Sequence, residues 1–150
     1  MNFGFSPVGL LFLLMLFVPN IIWSKNQPKD YEQYSKNENG LLLAFERIGE
    51  VLVTVLSLFC GVGFQFSFLL ILGFIILIIY ELAWMKYFRS DKTMKDMLAS
   101  FLKIPVPIAC LPVLAFLILG IVSGNIFLII SSIILAIGHI GIHLDHRRNL

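Results

Sequence analysis

Glutamate and histidine pairs recur at helical spacing within two strongly apolar stretches of this chain. Glu46 and Glu50 are four residues apart, and so are His139 and His143. Residues at i and i+4 lie on one face of an α-helix, so each pair directs two ionisable groups toward the same neighbour. Because an ionisable side chain inside a membrane segment usually faces protein or a water-filled cavity, the two pairs predict a buried polar pocket.

Other polar side chains are predicted at a similar depth. Asn20 belongs to the first apolar segment and Glu81 to the third, where Tyr80 precedes Glu81 and Trp84 follows one turn later. At ~1.5 Å of rise per residue, the glutamates, the histidines and Asn20 fall in the inner third to half of a bilayer. We expect groups from different helices to converge there and to bind a ligand or titrate. The predicted site residues are Asn20, Glu46, Glu50, Tyr80, Glu81, Trp84, His139 and His143.

A divalent metal is one candidate occupant of such a pocket, since imidazole and carboxylate groups on facing helices ligate metals in helical bundles. The candidate ligands are Glu50, Glu81, His139 and His143. The spacing departs from familiar metal motifs, because His139 and His143 enclose no glutamate of the zinc-protease type. The identity of a metal or other cofactor stays open.

The composition places the chain in a membrane. It has 59% hydrophobic and only 13% charged residues, too apolar for a soluble domain, whose surface needs polar side chains. Five windows are long enough to cross a hydrocarbon core, which takes about 20 helical residues. They are Phe5 to Trp23, Ala44 to Gly63, Phe66 to Lys86, Ile104 to Val122 and Ile126 to Leu144. The predicted fold is all-α: a single integral membrane domain over residues 1–150 with a bundle of five transmembrane helices.

The basic residues all fall on one side of this pattern. They lie between segments one and two, with Arg47 just inside segment two, around the connection of segments three and four, and after segment five, whereas the connections 60–65 and 123–125 carry no charge. Since cytoplasmic loops retain Lys and Arg, we predict a plasma-membrane protein with its N-terminus outside and its C-terminus in the cytoplasm. His146, Arg147 and Arg148 are then expected to be solvated.

The charged stretch 91–103 has apolar residues at helical spacing opposite Lys92, Lys95 and Asp96. This pattern predicts an amphipathic helix lying on the cytoplasmic surface, where it anchors the connection and contacts the bilayer. The linker before segment two, residues 25–40, is polar and contains Tyr31 and Tyr34, which favours a surface loop or a short helix. No phosphate-binding or nucleic-acid motif is present, so no nucleic-acid partner is expected.

Three classes of function fit these observations. The first is a cytoplasm-facing Glu/His pocket that binds or transports a small solute or cation, with the histidines offering coupling to protons. The second is a membrane-embedded enzyme that uses Glu/His acid–base or metal chemistry. The third is an accessory or immunity-type interaction protein, which predicts that a membrane partner protein copurifies. A homodimer or such a partner would also relieve the shortage of helices for a transport pathway.

Four short motifs stand out along the chain: Val18-Pro19-Asn20-Ile21-Ile22-Trp23, Phe45-Glu46-Arg47-Ile48-Gly49-Glu50, Tyr80-Glu81 and Gly138-His139-Ile140-Gly141-Ile142-His143. They resemble motifs of a family of uncharacterised small multi-pass membrane proteins of Gram-positive bacteria. The resemblance extends along most of the chain. It implies the membrane class and no particular activity.

Overall fold

A computed structural model describes residues 3–150, and all of its regular elements are helices. The helices are α1 (Pro7–Ser24), α2 (Tyr31–Ser35), α3 (Gly40–Leu58), α4 (Phe68–Phe88), α5 (Met94–Met97), α6 (Pro107–Ser123), α7 (Ile126–Leu135), a π-helical turn (Ala136–Ile140) and α8 (Gly141–Arg148). The last three form one continuous helical segment, Ile126–Arg148.

Polar caps mark where the longer helices begin. Ser6, Asn39, Ser67 and Asn125 each accept a hydrogen bond from a backbone N–H of the first turn that follows. Such a cap satisfies donors that have no partner within the helix. It also explains why α3 begins four residues before the predicted window, because Asn39 caps Leu41 and Leu42.

Three helices are long and apolar enough to cross a membrane, namely α1, α4 and the segment Ile126–Arg148. Their outward faces carry large apolar side chains, such as Ile78 and Leu82 on α4. Helix α6 is equally apolar but has 17 residues. Helix α3 has 19 residues and carries Glu46, Arg47 and Glu50. The prediction of membrane-spanning helices is therefore confirmed for three segments.

The helices pack around a shared apolar core. Helix α6 contacts α4 on one side and α7 on the other, α3 packs against α7 and the π-helical turn, and α1 lies against α3, α4 and α6. Phe12 of α1 makes edge-to-face contacts with Phe74 of α4 and Phe116 of α6. This order brings α3 and the last helical segment together, so the elements that carry the Glu and His pairs are direct neighbours.

The molecule has an uncharged pole and a charged pole. At the uncharged pole the chain before α1 meets the end of α3, where Ser6 N donates to Leu58 O over 2.8 Å. At the charged pole Lys92 Nζ donates to Asn26 Oδ1 over 2.6 Å, and Arg147 Nη2 donates to Ser100 Oγ over 3.1 Å. The three charged connections thus lie together, as the charge pattern predicts.

The prediction of an amphipathic helix over 91–103 is wrong, because the helix that forms there is much shorter. Only one turn forms, α5, which starts at a capping box between Thr93 and Asp96. Lys92, Leu102 and Lys103 adopt positive φ angles, which a helix does not allow. Val106 is also left-handed, so α6 begins at Pro107, three residues after its predicted start.

Candidate functional site

A polar cavity of about 170 Å³ lies at the charged pole, between α1, α3, α4 and the last helical segment. It is lined by carboxylates, imidazoles, one guanidinium, aromatic rings and a few apolar side chains. These residues are Asn20, Trp23, Tyr31, Glu38, Glu46, Arg47, Glu50, Trp84, Met97, Ile108, His139, Ile142, His143 and His146. For comparison, a cavity of about 150 Å³ holds a benzene-sized molecule.

The shortest contact between helices in this cavity joins Glu46 and His139. Glu46 Oε1 lies 2.6 Å from His139 Nδ1. Glu46 is only 9% exposed, although it carries an ionisable group. A buried carboxylate is stable only with a hydrogen-bonding partner, and His139 provides one.

Two glycines make this contact geometrically available. A Cβ at Gly138 would collide with Glu46 N and would lie 2.6 Å from Leu42 O, so the π-helical turn touches the α3 backbone directly. Likewise, a Cβ at Gly49 would lie 2.6 Å from Leu135 Cα. Close backbone approach of this kind requires small residues at the crossing. The π-helical turn itself widens the helix locally at His139, a distortion that is frequent at functional sites.

The hydrogen-bond partners define the tautomers of both histidines. His139 Nδ1 faces a carboxylate oxygen of Glu46, and His143 Nδ1 lies 2.9 Å from the carbonyl oxygen of His139. Because these oxygens accept hydrogen bonds, both Nδ1 atoms carry the hydrogen. In the neutral imidazole the Nε2 atom is then a proton acceptor, and the two rings lie 4.5 Å apart between centroids.

A second ion pair lies at the mouth of the cavity. Arg47 Nη1 donates to Glu50 Oε2 over 3.1 Å, and both side chains are substantially exposed. An exposed pair at i and i+3 adds little stability. The pair matters for the charge of the cavity, because Arg47 is the one guanidinium of the lining and its positive charge is already paired with the Glu50 carboxylate.

The rim of the cavity is built by the linker before α3. Glu38 Oε1 lies 3.3 Å from His146 Nε2, and Tyr34 packs edge-to-face on the His146 ring. Burial raises the pKa of the Glu38 carboxyl. Burial and the nearby carboxylates of Glu38 and Glu46 raise the pKa of the Tyr31 phenol. Both directions indicate a desolvated rim in a negative electrostatic field.

Asn20 and Tyr80 form the wall on the α1 side. Asn20 Nδ2 donates to Leu16 O over 2.7 Å and lies 2.9 Å from Tyr80 Oη. Tyr80 is 1% exposed, so its hydroxyl lies in the protein interior. The Asn20 amide is therefore fixed by two partners, which orients its free Oδ1 acceptor.

An apolar groove of about 400 Å³ adjoins the polar cavity. The two share Asn20, Glu50 and His139. The rest of the groove is formed mainly by apolar side chains of α1, α3 and α6. They are Leu16, Phe17, Val51, Val53, Thr54, Val55, Tyr80, Pro112, Val113, Phe116 and Leu135.

Most predicted site residues meet in this region, with one exception. The polar cavity is lined by Asn20, Glu46, Glu50, Trp84, His139 and His143, and Tyr80 lines the groove. Glu81 lines neither, because successive residues on a helix point about 100° apart and Tyr80 takes the inward position. Of the four proposed metal ligands, Glu50, His139 and His143 therefore line one cavity and Glu81 does not join them. Within residues 3–150, no group of three or more His, Cys, Asp or Glu side chains is placed to hold a metal ion.

Some lining residues were not expected from the sequence. His146 is 5% exposed rather than solvated, and Tyr31 of the polar linker reaches the cavity. A signal for His146 exists, because it lies seven residues after His139 and thus on the same helix face. The aromatic residues of the linker, Tyr31 and Tyr34, were the signal that this segment is packed.

Comparison with protein families, with curated proteins and with solved structures finds no match to this chain. The chemistry of the site therefore follows from its geometry. It offers a carboxylate-oriented imidazole, an excess of carboxylates over guanidinium groups, and an apolar groove beside them.

Proposed function

We propose that this chain is a five-helix plasma-membrane protein whose charged-pole cavity binds a small cation and releases a proton when the cation binds. The single observation that carries the proposal is the Glu46–His139 pair in a cavity lined by three carboxylates and one guanidinium. With neutral histidines this lining has a net negative charge, and it stays negative when one imidazole is protonated. A cation is the complementary ligand.

The length of α3 and α6 supports their inclusion as membrane spans. At ~1.5 Å per residue the 19 residues of α3 extend about 28 Å, close to the hydrocarbon thickness of about 30 Å. Glu46 and Arg47 lie in the first half of α3 and Glu50 lies just past its middle, and all three line the cavity. All Lys and Arg residues of the connections are at this pole, which favours a cytoplasmic orientation.

His139 is the group proposed to release the proton. The other ionisable groups that line the cavity are Tyr31 of α2, Glu38 of the linker, Glu46, Arg47 and Glu50 of α3, and His143 and His146 of α8. The Nε2 atom can hold a proton or accept a hydrogen bond from a bound ammonium group, but not both, so binding should displace the proton. Glu46 holds the ring by Nδ1 in either protonation state.

Calorimetric titration of the purified protein with methylammonium tests this function. Runs in two buffers with different ionisation enthalpies report how many protons leave on binding. We expect saturable binding with proton release in the wild type and in Glu81→Gln, a matched variant outside the cavity. We expect binding at least about tenfold weaker in Glu50→Gln and no proton release in His139→Ala. Absence of binding to the wild type, or equal losses in Glu50→Gln and Glu81→Gln, would overturn the proposal.

A membrane-embedded enzyme is the second candidate, and the orientation of His139 favours it. A carboxylate that fixes an imidazole by Nδ1 leaves Nε2 as a general base, an arrangement that many hydrolytic enzymes use. This function predicts a group-transfer or hydrolytic activity that Glu46→Gln reduces by about 10²-fold or more while the fold persists. Turnover of a bound ligand by the wild type, absent in Glu46→Gln, would favour the enzyme over the binding protein.

A further inference from the structure

The polar cavity and the apolar groove adjoin each other, and this adjacency suggests what a ligand can be. Asn20, Glu50 and His139 belong to both linings, so these three side chains lie between a head group in the cavity and a hydrocarbon chain in the groove. One end of the combined space is charged and aromatic, whereas the other is almost wholly apolar. A ligand that fills both has a polar head and a hydrocarbon chain.

The groove also opens sideways toward the bilayer. Its walls include Phe17 of α1 and Val51 and Val55 of α3, of which Val51 is 64% exposed. Helices α1 and α3 cross tightly near the uncharged pole, where a Cβ at Gly9 would collide with Ser57 O. Nearer the charged pole the groove separates them. Apolar side chains exposed at membrane depth face hydrocarbon, so a chain can enter between α1 and α3 without passing through water.

The polar end has the composition of an ammonium site. Trp23, Tyr31 and Trp84 line it together with the carboxylates, and the Trp23 and Tyr31 rings meet edge-to-face at 5.4 Å. Aromatic faces attract cations, and aromatic cages with nearby carboxylates are a common means of recognising alkylated ammonium groups. An anionic head would instead meet three carboxylates and a single guanidinium, that of Arg47, which is already bonded to Glu50.

We infer that the ligand of this site is an amphiphile with an ammonium head group, which lies among Glu50, Trp23 and Trp84 while its hydrocarbon chain occupies the groove between α1 and α3. This inference rests on the proposed cation-binding function and names its ligand class. The hydrocarbon chain of the ligand gains little hydrophobic free energy on leaving the bilayer for the groove, since both are apolar. It does keep the head at the membrane, which raises the effective concentration of the head at the cavity.

The tryptophan residues of the protein provide an optical probe that tests this inference. The protein contains two tryptophans, Trp23 and Trp84, and both line the polar cavity. Their emission can be followed in lipid nanodiscs during titration with tetramethylammonium, which is a head without a chain, and with dodecyltrimethylammonium. Dodecyl phosphate serves as the anionic amphiphile with the same chain.

Two pairs of matched variants distinguish the binding of the head group in the cavity from the binding of the hydrocarbon chain in the groove. Glu50→Gln alters the cavity, and Glu81→Gln changes a glutamate that lies outside both spaces. Val51→Phe obstructs the groove, and Val18→Phe makes the same change at an exposed position of α1 that does not line it. Val55→Phe is a second groove variant in case Val51→Phe folds poorly.

The expected result is saturable binding of dodecyltrimethylammonium at least about tenfold tighter than that of tetramethylammonium. Val51→Phe should weaken the binding of dodecyltrimethylammonium and leave that of tetramethylammonium unchanged, because the tethered hydrocarbon chain then has no space beside the bound head group. Val18→Phe should change neither affinity, while Glu50→Gln weakens both ligands about tenfold. Equal affinities for the two ammonium ligands, or no effect of either groove variant, would overturn the inference and leave the cation site intact. Binding of dodecyl phosphate as tight as that of the ammonium amphiphile would overturn the head-group assignment. Absence of binding by both ammonium ligands would overturn the inference and the proposed function together.

Discussion

Glu46 of α3 and His139 of the π-helical turn are joined by a 2.6 Å contact between Oε1 and Nδ1, across a helix crossing where Gly138 lies directly on the α3 backbone. Gly138 directly precedes His139 in the sequence, and the Glu46–His139 contact lies at the same helix crossing as this glycine. Close approach of the two backbones places the imidazole within reach of the carboxylate. The chemistry of the cavity therefore depends on the packing of this crossing.

Gly138→Ala should destabilise the protein. The new methyl group would collide with Glu46 N and crowd Leu42 O, and both are backbone atoms that cannot move independently of the helix. We expect a loss of about 2 kcal/mol or more in the free energy of unfolding, measured by thermal or denaturant unfolding in detergent. Gly40→Ala is the control, since a Cβ there meets nothing within 4 Å. Equal stability of the two variants would contradict this packing.

The Glu46–His139 pair should show energetic coupling. Glu46→Gln and His139→Ala each remove one partner, and the wild-type pair is largely buried, with side-chain exposures of 12% and 21% for Glu46 and His139. A double-mutant cycle on unfolding free energies should give a coupling of about 1 to 3 kcal/mol. The same cycle between Glu81→Gln and His139→Ala should give a value near zero. Strictly additive effects for the Glu46 pair would mean that the contact does not persist in solution.

The capping box of α5 should make stability depend on pH at the acidic end. Hydrogen bonds from the Thr93 hydroxyl and backbone hold the pKa of Asp96 below its ordinary value of 3.8. The ionised carboxylate is favoured in the folded state, so its contribution is complete above the unfolded pKa and is lost as the pH falls through the folded pKa. Asp96→Asn should therefore lower the unfolding temperature at about pH 7 and have a smaller effect at about pH 3. If Asp96→Asn lowered the unfolding temperature more at acidic than at neutral pH, the lowered pKa of Asp96 would be contradicted.

The charge distribution predicts which pole faces the cytoplasm. In a variant with Cys60 and Cys110 replaced by serine, a cysteine at Gln65 marks the uncharged pole and one at Lys36 marks the charged pole. Both positions are exposed. A membrane-impermeant thiol reagent applied to intact cells should label the Gln65→Cys protein and spare Lys36→Cys, because basic loops stay inside. Labelling of Lys36→Cys alone would invert the proposed topology.

The sequence predicts the helical class and the polar layer because both follow from local patterns. Long apolar windows, and polar groups at i and i+4, are visible without tertiary information, and Glu46, Glu50, His139 and His143 do meet. The sequence does not show which face of α4 points inward, so Tyr80 and Glu81 were equally plausible as lining residues. That choice depends on how α4 packs against α1 and α6.

Two other features depend on tertiary contacts that no spacing reveals. The apolar periodicity of a helix continues after α5, but the helix ends at Met97, and Leu102 and Lys103 adopt left-handed conformations. The linker residues Glu38 and Tyr31 reach the cavity because the loop folds back against α8, with Tyr34 on His146. The packing of linker 25–40 on the cavity depends on contacts between residues far apart in the sequence. Only Tyr31 and Tyr34 indicate it in the sequence itself.

Tryptophan emission during titration with methylammonium tests most directly whether the cavity of Glu46, Glu50 and His139 is a ligand site, because Trp23 and Trp84 both line it. We predict a saturable change in the wild type and in Glu81→Gln, and a midpoint shifted at least about tenfold in Glu50→Gln. A wild-type protein whose emission does not saturate, or a Glu50→Gln variant with the wild-type midpoint, would contradict the account.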